Sequence, residues 1–152
     1  MRYEDKLKEL GLELPQAPKP VATYIPAVRA GNLLFLSGVL PMQGGELVYR
    51  GKLGRELTVG QGSEAARVAL LNALAIAKQE LGSLDAINRV IKVVGHVASA
   101  EGFTEQPQVL NGASDLLVAI FGEAGRHARV ATGAAELPRG AAVEIEVIFA
   151  VS

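Results

Sequence analysis

Apolar and acidic residues alternate with a period of two across residues 143–147. In a β-strand this spacing places the three apolar residues on one face, and Glu144 and Glu146 on the other. Residues 137–140 precede this strand and contain proline and glycine, which favour a tight turn. We therefore predict a hairpin of two antiparallel strands over residues 127–150, in a sheet that packs on one side.

Two longer segments have apolar residues at helical spacing. Thr58 and Gln61 have the spacing of a capping box, and Gly82 follows the last apolar position, so the first helix is predicted between Thr58 and Gly82. The second is predicted between Thr104, as its candidate cap, and Gly122.

The remaining patterns predict shorter elements. A short helix over 3–10 precedes a proline-rich segment, 14–26, which cannot join a central ladder and should lie extended on the surface. Residues 33–38 predict a strand buried on both faces, residues 46–49 a strand after a glycine turn, and residues 89–98 a central strand.

The order of these elements predicts an α+β fold with one mixed sheet and two main helices on one face. The chain has 152 residues, of which 49% are hydrophobic, which suits one domain over 1–152. Residues 1–20 form an N-terminal helix and proline-rich extension of the core, residues 21–152. Because the helices cover one face, we expect apolar residues on the other to drive self-association, with pockets between subunits.

Charge and composition argue against several classes of function. The net charge of −1 gives no basic footprint for nucleic acid, and the absence of cysteine removes disulfides and thiolate chemistry. No signal peptide or membrane segment is evident, so we expect a cytoplasmic protein without a membrane partner. His96 is interpreted as a core residue and His127 as bordering a pocket; without clustered acids they predict no metal site.

Five short motifs, in this order, resemble the reactive-intermediate deaminase (Rid, YjgF-type) superfamily, also called endoribonuclease L-PSP. The resemblance covers roughly residues 20–152, with the N-terminal extension marking a divergent branch. The motifs are Tyr24 before Gly31-Asn32-Leu33, Leu36-Ser37-Gly38 with Pro41, a helical Asn111, Ala128-Arg129, and Leu137-Pro138 leading to Val143-Glu144-Ile145-Glu146.

The resemblance implies a chorismate-mutase-like fold and a homotrimer with ligand sites at the subunit interfaces. It also implies hydrolysis of enamine and imine intermediates, of the 2-aminoacrylate and 2-iminopropanoate type, to 2-keto acids and ammonia. Such a 2-iminobutanoate/2-iminopropanoate deaminase-like hydrolase would use neither metal nor cofactor.

By the same resemblance, Arg129 binds the substrate carboxylate, which a planar guanidinium suits well. The alternative is a structural ion pair between Arg129 and Glu144 or Glu146. Glu144 would position or deprotonate the attacking water, or it would be an ordinary solvated strand residue. Glu146 is interpreted as a surface or subunit contact.

Four further residues are candidates for substrate binding. Tyr24 would close the pocket, and Ser37 and Gly38 would let the backbone approach the ligand. Asn111 matches a helical asparagine of the superfamily. Packing is the alternative explanation for Tyr24, Ser37 and Gly38, and a structural hydrogen bond is the alternative for Asn111.

Two departures from the superfamily pattern leave other functions open. Ala131 stands where a cysteine is common, and Thr132 where an apolar residue is usual. A non-catalytic trimer that binds small carboxylates is therefore the alternative function. Endoribonuclease activity or inhibition of translation is a lesser one, since the chain has no basic groove.

Overall fold

The structure is a computed structural model that describes residues 2–19 and 23–152. Its α-helices are α1 (Tyr3–Glu9), α2 (Val59–Leu81) and α3 (Gln106–Phe121). Its strands are β1 (Ala27–Ala30), β2 (Leu33–Leu36), β3 (Met42–Gln43), β4 (Glu46–Leu47), β5 (Ile87–Ala98), β6 (Ala128–Ala134) and β7 (Val143–Val151). The predicted α+β class and order of elements are confirmed.

Five strands form one mixed sheet in the order β1-β2-β7-β5-β6, while β3 and β4 form a separate ribbon. β6 runs parallel to β5, and the other neighbouring strands of the main sheet are antiparallel. The predicted hairpin over 127–150 is wrong, because β5 lies between β6 and β7. The connection passes the end of β5, where Ala98 N donates to Ala142 O at 2.8 Å.

The helix boundaries follow local chemistry. At the start of α2, Gln61 N donates to Thr58 Oγ1 at 3.2 Å and Thr58 N donates to Gln61 Oε1 at 2.9 Å, which confirms the capping box. Gly82 ends α2 in the left-handed conformation. The predicted cap at Thr104 is wrong: Glu105 occupies the N-cap position, and no side chain caps α3.

The core lies between the sheet and the α2–α3 layer. Every second residue of β7, from Val143 to Val151, is almost fully buried beneath these helices. α1 adds Leu7 to the same core. The rings of Tyr3 and Phe121 meet edge to face, with 4.5 Å between their centroids. No helix within 2–19 or 23–152 is long and apolar enough to cross a lipid bilayer.

The opposite side of the sheet, which we call the helix-free face, keeps exposed apolar residues. Val28, Phe35 and Val130 are 51%, 38% and 42% exposed. The predicted burial of β2 on both faces is wrong, because Leu34 is fully buried while Phe35 beside it meets no second layer. The proline-rich segment has no helix or strand at 14–19 or 23–26, and its residues 20–22 lie outside the described residues.

The two main helices approach closely at Gly112. A Cβ at this position would overlap the carbonyl oxygen of Ser63 on α2. This atom belongs to the backbone, so a rotamer change cannot relieve the overlap. A Cβ placed on Gly60, in the first turn of α2, would have only Thr58 Oγ1 nearby, at 3.9 Å.

We expect Gly112→Ala to lower the free energy of unfolding by about 1–3 kcal/mol, because the helices must separate. The matched substitution Gly60→Ala should raise it by about 0.5–1 kcal/mol, since alanine favours helix and meets open space. Urea unfolding of both variants at one protein concentration measures the difference. Equal effects of the two substitutions would contradict the close helix approach.

Candidate active site

Arg129 points to the helix-covered side of the sheet. It lies in register with Val93 of β5, which in turn is in register with Val147 of β7, and both valines are fully buried. Because β6 is an edge strand, the guanidinium lies at the border of that layer and contacts α3. Its Nη1 donates to Asn111 Oδ1 at 2.8 Å and to Ser114 Oγ at 3.1 Å.

His127 extends this network. Its Nδ1 lies 2.6 Å from Gly125 O, and a carbonyl only accepts, so Nδ1 carries the proton. In the neutral ring Nε2 then accepts from the hydroxyl of Ser114 at 2.9 Å, while Ser114 Oγ accepts from Arg129. Asn111 and Ser114 carry no charge, so they hold the guanidinium without cancelling its charge.

The alternative ion pair of Arg129 with Glu144 or Glu146 is contradicted. Within the residues that the structure describes, no carboxylate lies within ion-pair distance of Arg129. The positive charge of Arg129 is therefore available to an anion.

Glu144 lies on the other side of the sheet. It is in register with His96 on the helix-free face, and the bridge between Val39 and Ile145 brings it beside Gly38. A Cβ at residue 38 would lie 2.7 Å from Glu144 Oε2, so glycine is the residue that leaves room for this carboxylate. Close packing against Glu144 is thus one reason for a glycine here.

Burial raises the pKa of the Glu144 carboxyl above its usual value. The nearby His96 opposes this increase, and the negative charge of Glu146 adds to it. Glu144 is half-buried, so its carboxylate is only partly solvated and holds a proton more readily than a surface glutamate.

A cavity of about 800 Å³ lies beside the end of β2, and we call it the β2 cavity. Tyr24, Ser37 and Gly38 all line it. Ser37 Oγ donates to Ile25 O at 2.6 Å, which ties the segment that carries Tyr24 to the end of the strand. Glu144 does not line the cavity, but its carboxylate lies against Gly38.

The predicted site residues therefore form two groups in one chain. Arg129 and Asn111 lie together at the α3 side, and Tyr24, Ser37, Gly38 and Glu144 lie together at the end of β2. The sheet and strand β5 separate the groups. One small ligand cannot contact Arg129 and Glu144 of the same chain.

Ser114 contacts both Arg129 and His127 and was not predicted from the sequence. Its position three residues after Asn111 on one helix face was the available signal.

The assignment of His96 to the core is wrong. It lies on the helix-free face, with Nε2 3.9 Å from Glu146 Oε2. Glu146 is an exposed surface residue, as predicted.

Comparison with known proteins identifies relatives along nearly the whole chain. The family model described as "YjgF/chorismate mutase-like, putative endoribonuclease" matches residues 4–150. Protein TCP17 of Trypanosoma cruzi is 44% identical over 148 residues, which cover 97% of this chain and 92% of that protein. A more distant relative, the 2-iminobutanoate/2-iminopropanoate deaminase of Dermatophagoides farinae, is 29% identical over 140 residues, covering 92% of this chain and 94% of that protein.

Solved structures agree with this match. A protein of unknown function from Agrobacterium tumefaciens is 45% identical, with a TM-score of 0.90, over 98% of this chain and 91% of that one. An endoribonuclease candidate from Shewanella oneidensis is 36% identical, with a TM-score of 0.96, over 99% of this chain and 100% of that one. The matched motifs, the mixed sheet and these relatives together show that the chain belongs to the YjgF/chorismate mutase-like family of the YjgF/Rid superfamily.

Proposed function

We propose that this protein hydrolyses reactive enamine and imine intermediates to 2-keto acids and ammonia, at sites completed between copies of the chain. The observation that carries the proposal is Arg129, whose guanidinium is held by Asn111 and Ser114 while its charge is left for a ligand. A planar fork of donors at an exposed sheet edge suits a small carboxylate. The relative named a deaminase supports the same chemistry.

The two residue groups explain why more than one copy is needed. Arg129 lies at the edge strand β6 on the helix-covered side of the sheet, and Glu144 lies on the central strand β7 on the helix-free face. A neighbouring copy packed on the helix-free face would bury Val28, Phe35 and Val130. In this arrangement Arg129 of one copy would lie toward the β2 cavity of another. In a ring of three copies, every subunit would make this same contact.

In the proposed reaction, Arg129 holds the substrate carboxylate in place. The enamine takes up a proton at carbon and loses one from nitrogen, which gives the imine. Water held near Glu144 adds to the imine carbon while Glu144 accepts a proton from that water and the imine nitrogen takes up a proton from solvent. Glu144 then returns its proton to the carbinolamine nitrogen, the hydroxyl group loses its proton to solvent, and the C–N bond breaks to release ammonia and leave the 2-keto acid. The raised pKa of Glu144 makes it a better base than a surface glutamate. The reaction consumes one water and needs no redox step.

A non-catalytic carboxylate binder is the second candidate, because Ala131 provides no thiol at a position where the superfamily commonly has one. Both functions require Arg129. They differ in whether a bound keto acid is also a product, which kinetics and calorimetry on the same preparation separate.

We expect Arg129→Ala to lower kcat/KM for imine hydrolysis by about tenfold or more, because one charge-assisted contact is lost. The assay follows keto-acid release when a threonine or serine dehydratase supplies the intermediate. Arg126→Ala is the matched control, since Arg126 pairs with Glu123 at the surface. Wild-type activity in Arg129→Ala would contradict the proposal, whereas keto-acid binding without turnover would favour the binder.

The role of Glu144 predicts a pH dependence. Because burial raises its pKa, the carboxylate that acts as base is present at high pH and is lost as pH falls through that raised pKa. We expect kcat/KM to fall on the acid side with a pKa above the usual glutamate value, and Glu144→Gln to remove this limb. The measurement is a pH–rate profile with uncatalysed hydrolysis subtracted. An unchanged acid limb in Glu144→Gln would assign the base elsewhere.

Assembly through the helix-free face is tested by placing a charge on it. Phe35→Lys should shift the mass measured by light scattering from a multiple of the chain to that of the monomer, and should abolish activity, because a buried lysine is costly. Val118→Lys is the control, since Val118 is equally apolar and exposed but lies on α3. A monomeric wild type that is fully active would contradict the shared site.

A further inference from the structure

Part of the lining of the β2 cavity lies outside the predicted site. It includes residues 15–19 of the proline-rich segment, Met42 and Arg139. The charged residues that line the cavity in the described chain are Lys19 and Arg139, both basic. The charge of this lining is therefore positive and favours an anion in the cavity.

Arg139 has an unusual backbone. Its φ of 62° and ψ of 12° place it in the left-handed region, which is unfavourable for a residue other than glycine. The guanidinium lies 4.0 Å from Met42 Sδ, on the cavity wall. Within 2–19 and 23–152, no carboxylate forms an ion pair with it, whereas nearby Lys52 pairs with Glu136 at 2.8 Å.

The part of the cavity wall that carries Met42, beside Arg139, is fixed by hydrogen bonds within the chain. Asn72 of α2 is 2% exposed and donates to Leu40 O at 3.2 Å and to Met42 O at 2.8 Å. These two bonds hold the chain that carries Met42 against the helix. A fixed wall keeps the ordering cost of binding low.

The size of the cavity also exceeds what a short acid needs. Its volume of about 800 Å³ lies in the range of roughly 300–1,000 Å³ typical of sites for drug-sized ligands. Most of the lining is apolar or backbone, from Pro15, Pro18, Val39, Leu40 and Ile76. A three- or four-carbon acid would fill only part of this volume.

We propose that Arg139, with Lys19, binds a second anionic group of the substrate. The preferred substrates are then 2-imino acids whose apolar side chain ends in an acidic group. This inference rests on the proposed function, because the first carboxylate is assigned to Arg129. Arg139 is in this view a specificity residue that takes no part in the hydrolysis itself.

Length-matched keto acids test the second anionic site. We expect 2-oxoadipate to bind the wild-type protein about tenfold or more tightly than 2-oxohexanoate, because it adds a charge-assisted contact. Isothermal titration calorimetry measures both dissociation constants. Equal affinities in the wild type would overturn the inference.

Variants at residue 139 locate the effect. Arg139→Asn should abolish the preference for the diacid without lowering Tm, since asparagine tolerates positive φ. Arg139→Lys should keep part of the preference. Arg50→Asn removes the same charge nearby and should keep the preference in full, because Arg50 does not line the β2 cavity. If Arg139→Asn fails to fold, Arg139→Gly replaces it, because glycine adopts the same φ freely.

The outcomes for the two proposals are distinct. A diacid preference that persists in Arg139→Asn, or in Arg139→Gly where that variant replaces it, overturns the role of Arg139. Imine hydrolysis by a wild type without that preference overturns only the substrate class. A preference that depends on Arg139 in a protein that does not hydrolyse imines supports the second anionic site and rejects the hydrolytic function.

Discussion

The alternation of buried and uncovered residues along β7 determines which side of the sheet carries the acidic group. Its odd-numbered residues from Val143 to Val151 are buried beneath α2 and α3, so its even-numbered residues must face the uncovered side. Glu144 is thereby placed on the helix-free face beside Gly38. A shift of one residue in the register of β7 would bury both glutamates and expose the core. Burial of the apolar set thus fixes the position of the acidic group.

Local chemistry made much of the fold predictable. The capping box at Thr58, the stop at Gly82 and the alternation in β7 are all recorded within a few residues of sequence. Pairing between distant strands is not recorded in this way. The turn chemistry at residues 137–140 correctly predicted a turn, yet the long strand β5 pairs with both β6 and β7 and keeps them apart.

The same distinction applies to the site. The resemblance pointed to six site residues, but a resemblance does not say which side of a sheet a residue faces. These residues are Arg129, Asn111, Tyr24, Ser37, Gly38 and Glu144. The register with Val93 shows that Arg129 lies on the helix-covered side. Ser114 was not predicted, because its spacing from Asn111 indicates a shared helix face but not what that face contacts. The contacts with Arg129 and His127 identify its role.

The N-terminal segment belongs to the family match and also lines the β2 cavity. The family match begins at residue 4 and therefore includes α1 and the proline-rich segment. α1 is anchored by Leu7 in the core and by the contact of Arg2 with Asp85 at 2.9 Å. Because α1 is fixed, residues 15–19 are held close to the end of β2 and form a wall of its cavity. A segment that lines a cavity limits which ligands fit it. The shape of the β2 cavity is therefore set by the N-terminal segment as well as by the end of strand β2.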